Sequence, residues 1–160
     1  MLYLQRNFFE KGGYKLHTKR ITAQDDLNTA FQIRKRIFVE EQMVPLEDEF
    51  DEFDHLESPA EHILVYWEGQ PVGTGRIRWT EGFGKLERVC ILPNYRKLGL
   101  GKTIIATLEE MAVEKGTTKV KLHGQTHAEG FYHKLGYQTA SDVFIEDGIP
   151  HVIMQKKLLD

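Results

Sequence analysis

Between Arg96 and Lys102 the chain reads RKLGLGK, with two glycines one residue apart among three cations. These residue types at this spacing can hold an anion. Gly99 and Gly101 have no Cβ, so a phosphate can approach the main chain closely. The amphipathic run from Leu100 to Gly116 predicts a helix opening at this turn. Its first N–H groups lack internal partners and its dipole adds partial positive charge there. Arg96, Lys97 and Lys102 bring formal charge to the same place.

Two general phosphate loops fail here by one residue each. G-x-x-x-x-G-K-[ST] would end on Gly101-Lys102-Thr103 but needs glycine where Arg96 stands. G-x-G-x-x-G would start at Gly99 and needs glycine at Ile104. What remains is an [RQ]-x-x-G-x-[GA] turn from Arg96 to Gly101, preceded by the strand-like ERVCI and Leu92-Pro93.

That turn resembles the coenzyme A pyrophosphate loop of the GCN5-related N-acetyltransferase (GNAT) superfamily. RKRIFVEEQMVP (Arg34 to Pro45), followed by DEFDEFDH, is similar to a branch of predicted acyltransferases with an R-x-x-[VI]-F-x-x-E-Q signature. FYHKLGY (Phe131 to Tyr137) resembles the superfamily's terminal FY-x-x-x-GF motif. The likeness runs from about Arg34 to Lys157.

The resemblance implies direct attack of an amine on the thioester of acetyl-CoA, a cosubstrate rather than a resident cofactor. Main-chain groups of Val89, Cys90 and Ile91 would bond the pantetheine arm. Arg96, Lys97, Leu98, Gly99, Leu100, Gly101 and Lys102 would hold the pyrophosphate. Tyr132 matches the tyrosine that faces the CoA sulfur and would act as general acid, its rival reading being a packed aromatic. Gln125 stands where many relatives place a cofactor-contacting Asn, a departure from the pattern.

The base is open. Glu87 alternates with Val89 and Ile91, so in a regular strand it shares their face and is the first candidate, with a salt bridge to a neighbouring arginine as the rival. Glu52, Asp54 and His151 are weaker ones. Arg34, interrupting an apolar helical stripe, and the carboxylates Glu52 and Asp54 are candidates for binding the acceptor. Their rivals are a snorkelling arginine and a solvated acidic face. Seven histidines raise a metal, but His123, His127 and His133 have no ligand spacing and the single cysteine no partner, so no metal is expected. Cys90 lies in an apolar strand and reads as core.

The elements that must position these groups can be read in order. Met1 to Gly13 is an N-terminal arm, either loose or an added edge strand, and residues 14–160 form a single domain. Tyr14 to Ile21 alternates as a strand. Thr22 is a plausible N-cap for a helix through about Val39. Phe50 and Phe53 can anchor the acidic stretch from Glu47 to Glu57. His62 to Trp67, Val72 to Trp79 and Lys85 to Ile91 form a meander, the first two joined by Glu68-Gly69-Gln70-Pro71. After the helix come Lys119 to His123, a short helix ending at Gly136, and two strands around Asp147-Gly148. This pattern predicts an α/β (α+β) fold: a mixed, mostly antiparallel central sheet with helices on both faces.

A chain of 160 residues is long enough to bury about two-thirds of its unfolded surface. A net charge of −3 does not suggest nucleic-acid binding, no apolar run has membrane-spanning length, and one cysteine fits a reducing, cytoplasmic setting. The expectation is an N-acetyltransferase acting on a small-molecule primary amine, with a homodimer compatible. The alternatives are a non-catalytic acyl-CoA sensor, or acyl transfer like that of acyl-homoserine-lactone synthases.

Overall fold

The structure, a computed structural model, describes residues 6–158. Strands β1 (Arg6–Lys11) and β2 (Tyr14–Arg20) form a hairpin at one edge of the sheet. The described part of the N-terminal arm is therefore an edge strand. β3 (Glu61–Trp67), β4 (Gln70–Thr80) and β5 (Phe83–Ile91) continue as the expected antiparallel meander. Helix α3 (Leu100–Glu114) crosses over to β6 (Lys119–Gln125), which pairs parallel with β5. Beyond the short helix α4 (Glu129–Lys134) come β7 (Gln138–Thr139), β8 (Phe144–Glu146) and β9 (Ile149–Lys157). The sheet order is β1-β2-β3-β4-β5-β6-β9-β7, with β8 pairing on β9.

Both faces of this sheet are covered, which is why Ile63, Leu64 and Val65 are consecutive and all fully buried. Ile63 and Val65 pack with Ile104, Leu108 and Met111 of α3. Leu64 points the other way, to Ala30, Ile33 and Ile37. Gly75 in β4 permits the close seating of α3, because a Cβ there would stand 2.7 Å from Ile104 Cγ2.

The covering helix on the second face, α1 (Gln24–Arg34), differs from expectation at both ends. Ala23 occupies the cap position and no side chain caps it, so Thr22 does not serve; Asp25 and Asp26 supply the negative charge the first turn favours. From Lys35 to Glu41 the helix widens into π geometry, and Gln42 N–H bonds the Ile37 carbonyl at 2.9 Å. The wide turn keeps Ile37 in the core while Glu41 and Gln42 reach the cavity described below. A four-residue helix, α2 (Leu46–Glu49), begins the acidic segment.

One irregularity decides the site. Between the pairs Thr74↔Cys90 and Arg76↔Glu87, β5 carries one residue more than β4, and Arg88 takes φ 56°. Before this bulge Leu86 faces α3; after it Val89 and Ile91 do, while Cys90 joins the α1 side. The regular alternation assumed from sequence is broken here. Glu87 does not share a face with Val89 and Ile91.

Candidate active site

β5 and β6 pair only from Gly84↔Val120 to Leu86↔Leu122. Past that point the bulge turns β5 away, while β6 stays with β9 as far as Gln125↔His151. The resulting split opens a cavity of about 800 Å³. Glu87, Val89, Cys90, Ile91, Arg96, Gln125 and Tyr132, all singled out by sequence, line it together. Strands splayed in this way leave β5 without a strand partner on its β6 side, while β4 stays paired on the other.

At one end lies the start of α3. Gly99 adopts φ 80° at the cap position, and the first helical bond runs from Thr103 N–H to the Gly99 carbonyl at 3.3 Å. The N–H groups of Leu100, Gly101 and Lys102 therefore have no intrahelical acceptor. Lys97 also has positive φ, 70°, which curls the turn. Leu100 is buried, so it offers the turn only its backbone. Lys97, Leu98, Gly99, Leu100, Gly101 and Lys102 form the rim and do not line the cavity; Arg96 does. Its guanidinium donates to the Ile91 carbonyl at 3.1 Å and to Glu41 at 2.8 Å, joining the turn to the π segment. Lys11, at the end of β1, lies with its ammonium directly against Gly99. Nothing in the sequence ties these two residues together.

The middle carries Tyr132, on α4 and half-buried, its ring edge-on to Tyr137 with centroids 5.9 Å apart. Burial pushes its hydroxyl up to about 12, so the phenol keeps its proton at neutral pH. Cys90 is shifted upward by burial and remains a neutral thiol. Gln125 donates to Gln42 at 2.9 Å, and its carbonyl oxygen lies 2.7 Å from His127 Nε2. That amide is thus already held by protein groups on both sides.

Three acceptor candidates lie elsewhere. Arg34 is 1% exposed and bonds Glu49 at 2.9 Å and Asp54 at 2.6 Å. Arg76, also 1% exposed, bonds Asp51 at 2.8 Å, Asp54 at 2.9 Å and Glu87 at 3.1 Å. Although burial opposes its charge, the Arg34 guanidinium holds the Asp54 carboxyl well below the usual range. Phe50 and Phe53 anchor the segment against arginines rather than in the apolar core: Arg34 is 5.0 Å from the Phe50 centroid and Arg78 4.8 Å from that of Phe53. Among the described residues, Arg34, Asp54 and the exposed Glu52 do not line the cavity. From the acidic segment it is Glu49 that does, beside Arg88. Burial raises the Glu49 carboxyl against the lowering by Arg88 and Arg34.

Glu87 lines the cavity, but one oxygen bonds Arg76 and the other Arg78. The far end holds a group that sequence spacing does not reveal. His123 Nδ1 lies 2.8 Å from Glu146 Oε1, and His151 Nε2 3.8 Å from Glu146 Oε2. His151 is the weaker base candidate named above; Glu146 had no local signal. Among the described residues no group of His, Cys, Asp and Glu has the arrangement of a metal site.

A bulge-split sheet, a basic αL turn opening a long helix and a tyrosine between them define an acyltransferase-type site. The GNAT acetyltransferase domain model matches residues 32–158. The chain belongs to the GNAT family and is a GNAT N-acetyltransferase. It is 45% identical over 134 residues to the uncharacterized N-acetyltransferase YjcF of Bacillus subtilis, covering 83% of this chain and 94% of that one. An acyl-CoA N-acyltransferase from Pseudomonas aeruginosa superposes with TM-score 0.78 at 26% identity, covering 88% of this chain and 99% of the other. A PaiA N-acetyltransferase from Thermoplasma acidophilum, solved with coenzyme A, shares the fold at TM-score 0.65 and 16% identity, covering 88% and 98%. Among the described residues no helix is long and apolar enough to cross a membrane.

Proposed function

We propose that the protein moves the acetyl group of acetyl-CoA to a primary amine of a small molecule by direct attack. The observation that carries this is the split between β5 and β6, which opens the cavity from the basic turn past Tyr132 to a polar far end. A channel of that shape accepts a long anionic thioester from one end and a polar acceptor from the other. The Thermoplasma protein, which shares the fold, was solved in complex with coenzyme A, and that supports a coenzyme A thioester as the donor.

Each chain element then has a task. The free N–H groups of Leu100, Gly101 and Lys102 bind pyrophosphate, with Arg96, Lys97 and Lys102 adding charge. Backbone groups of Val89, Cys90 and Ile91 align the pantetheine arm, and Gln125 closes the cavity beside it. The Tyr132 hydroxyl, still protonated, donates to the departing sulfur. Glu87 has one oxygen on Arg76 and the other on Arg78, and its task is to hold these two arginines beside the cavity. The buried neutral Cys90 fits a reducing cytoplasm.

Mixing the protein with acetyl-CoA and tyramine, cadaverine or glucosamine, and following free thiol, tests the reading. Thiol release that depends on an amine, with acetylated product by mass spectrometry, is expected. Calorimetric CoA binding without transfer to any amine would point to a sensor.

A further inference from the structure

The far end of the cavity holds an imidazole that neither the family match nor the motifs assign. Leu86↔Leu122 is the last pair between β5 and β6, so Glu87 and His123 are the first residues beyond it on either side of the split. Both line the cavity. Of the two, Glu87 has both oxygens on arginines, whereas His123 makes one ion-pair contact, from Nδ1 to Glu146 Oε1 at 2.8 Å.

That contact sets the chemistry of the ring. An ionised carboxylate only accepts hydrogen bonds, so in the neutral ring Nδ1 carries the proton and Nε2 keeps its lone pair. Glu146 is ionised: its hydrogen bond with His123 holds it below the usual carboxylate range, against burial. An aromatic ring flanks both imidazoles. Phe144 meets the His123 ring edge-on at 5.2 Å and stacks on His151 at 6.0 Å. The β8–β9 turn through Asp147 and Gly148, with φ 50° and 76°, carries Glu146 into place.

We propose that His123 is the general base of the transfer and Glu146 its positioning residue; this rests on the acetyltransferase reading above. The neutral amine nitrogen forms the C–N bond to the acetyl carbon as the C–S bond breaks. The proton it sheds goes to Nε2 of His123, the sulfur leaves with the bonding pair, and it takes the Tyr132 proton. The titratable groups that line this end of the cavity with His123 are Glu146 from β8, Asp147 from the β8–β9 turn, His151 from β9, and Lys85 and Glu87 from β5. Burial lowers the Lys85 ammonium, and the Glu87 and Glu146 carboxylates work against that shift. The resulting imidazolium is balanced by Glu146, as in other oriented-base sites.

Two measurements test this. Long-range ¹H–¹⁵N spectra of the whole protein need no substrate. They should show His123 protonated on Nδ1 alone, and Glu146→Gln should scramble that tautomer. With acetyl-CoA and whichever of tyramine, cadaverine or glucosamine is acetylated, His123→Gln should lose about 10²-fold in kcat. Acetyl-CoA affinity should stay within twofold, and the acidic limb of kcat against pH, read at saturating amine, should vanish. Glu146→Gln should lower kcat more than it changes KM. A proton on Nε2 alone in the wild type overturns the proposal, and so does a His123→Gln enzyme keeping kcat and its acidic limb. If His123→Gln does not fold, His123→Asn and the wild-type tautomer carry the same test. Failure of the wild type to acetylate any amine would overturn the acetyltransferase reading, and the tautomer would still test the dyad.

Discussion

Arg34 Nη1 donates to Asp54 Oδ1 at 2.6 Å, tying α1 to a loop twenty residues further along the chain. With Arg76 on the same carboxylate, this makes the acidic segment a structural clasp rather than an acceptor surface. Removing Arg34 leaves Asp54 with Arg76 alone and Glu49 with Arg88 alone, which puts the cost at the low end of the about 3–5 kcal/mol of a broken buried pair. Arg34→Met should therefore lose about that much in urea unfolding, whereas Glu52→Gln, exposed, should change stability by less than about 0.5 kcal/mol. A stable Arg34→Met variant would show that the clasp is not needed.

His62, 4% exposed, makes stability pH-dependent. Its Nε2 lies 3.3 Å from the Phe53 carbonyl, its Nδ1 has no partner, and burial lowers its folded value to about 4. The unfolded chain then binds a proton that the folded one refuses. This contribution to stability is full above the ordinary value near 6.5 and lost as pH falls from there to about 4. The total is on the order of 3 kcal/mol. Urea titrations of wild type and His62→Gln should differ in slope against pH only in this window. Parallel curves would count against the prediction.

Gly101 tests the anion site. A Cβ there would stand 3.3 Å from Phe131 Cζ, and a valine would also crowd the backbone where phosphate must sit. Calorimetry on folded Gly101→Val should show CoA affinity at least about tenfold weaker, roughly 1.4 kcal/mol. Unchanged affinity would remove the turn from the cofactor site.

Lys11 is expected to add to that site from the β1–β2 hairpin, outside the residues that the family model matches. An exposed ion pair contributes about 0.2–1 kcal/mol, so Lys11→Met should weaken CoA binding by up to about fivefold. Raising the salt concentration should shrink the difference between variant and wild type. A difference that salt leaves untouched would mean that Lys11 acts through packing.

Tyr132→Phe keeps the ring against Phe131 and Tyr137 and removes only the hydroxyl. A CoA thiol leaves readily even without a proton, so kcat should fall by about 10²-fold, the low end for general acids. CoA affinity and melting temperature should match wild type. Unchanged kcat would make the tyrosine a packing residue.

The sequence by itself determined what rests on local pattern. The basic glycine turn, the α3 stripe, the meander and the parallel return through β6 follow from spacing, because period and turn chemistry act over a few residues. It also named most of the cavity lining from Val89 to Tyr132. Only the tertiary structure decided the rest. Face alternation assumes a regular strand, and Arg88 breaks it with an extra residue that nothing local announces, moving Glu87 away from Val89 and Ile91. Charge partners are chosen by which side chains the fold brings together. Arg34 finds Asp54, Arg76 finds Asp51 at a separation of 25, and His123 finds Glu146 at 23, each across elements whose packing no local pattern records.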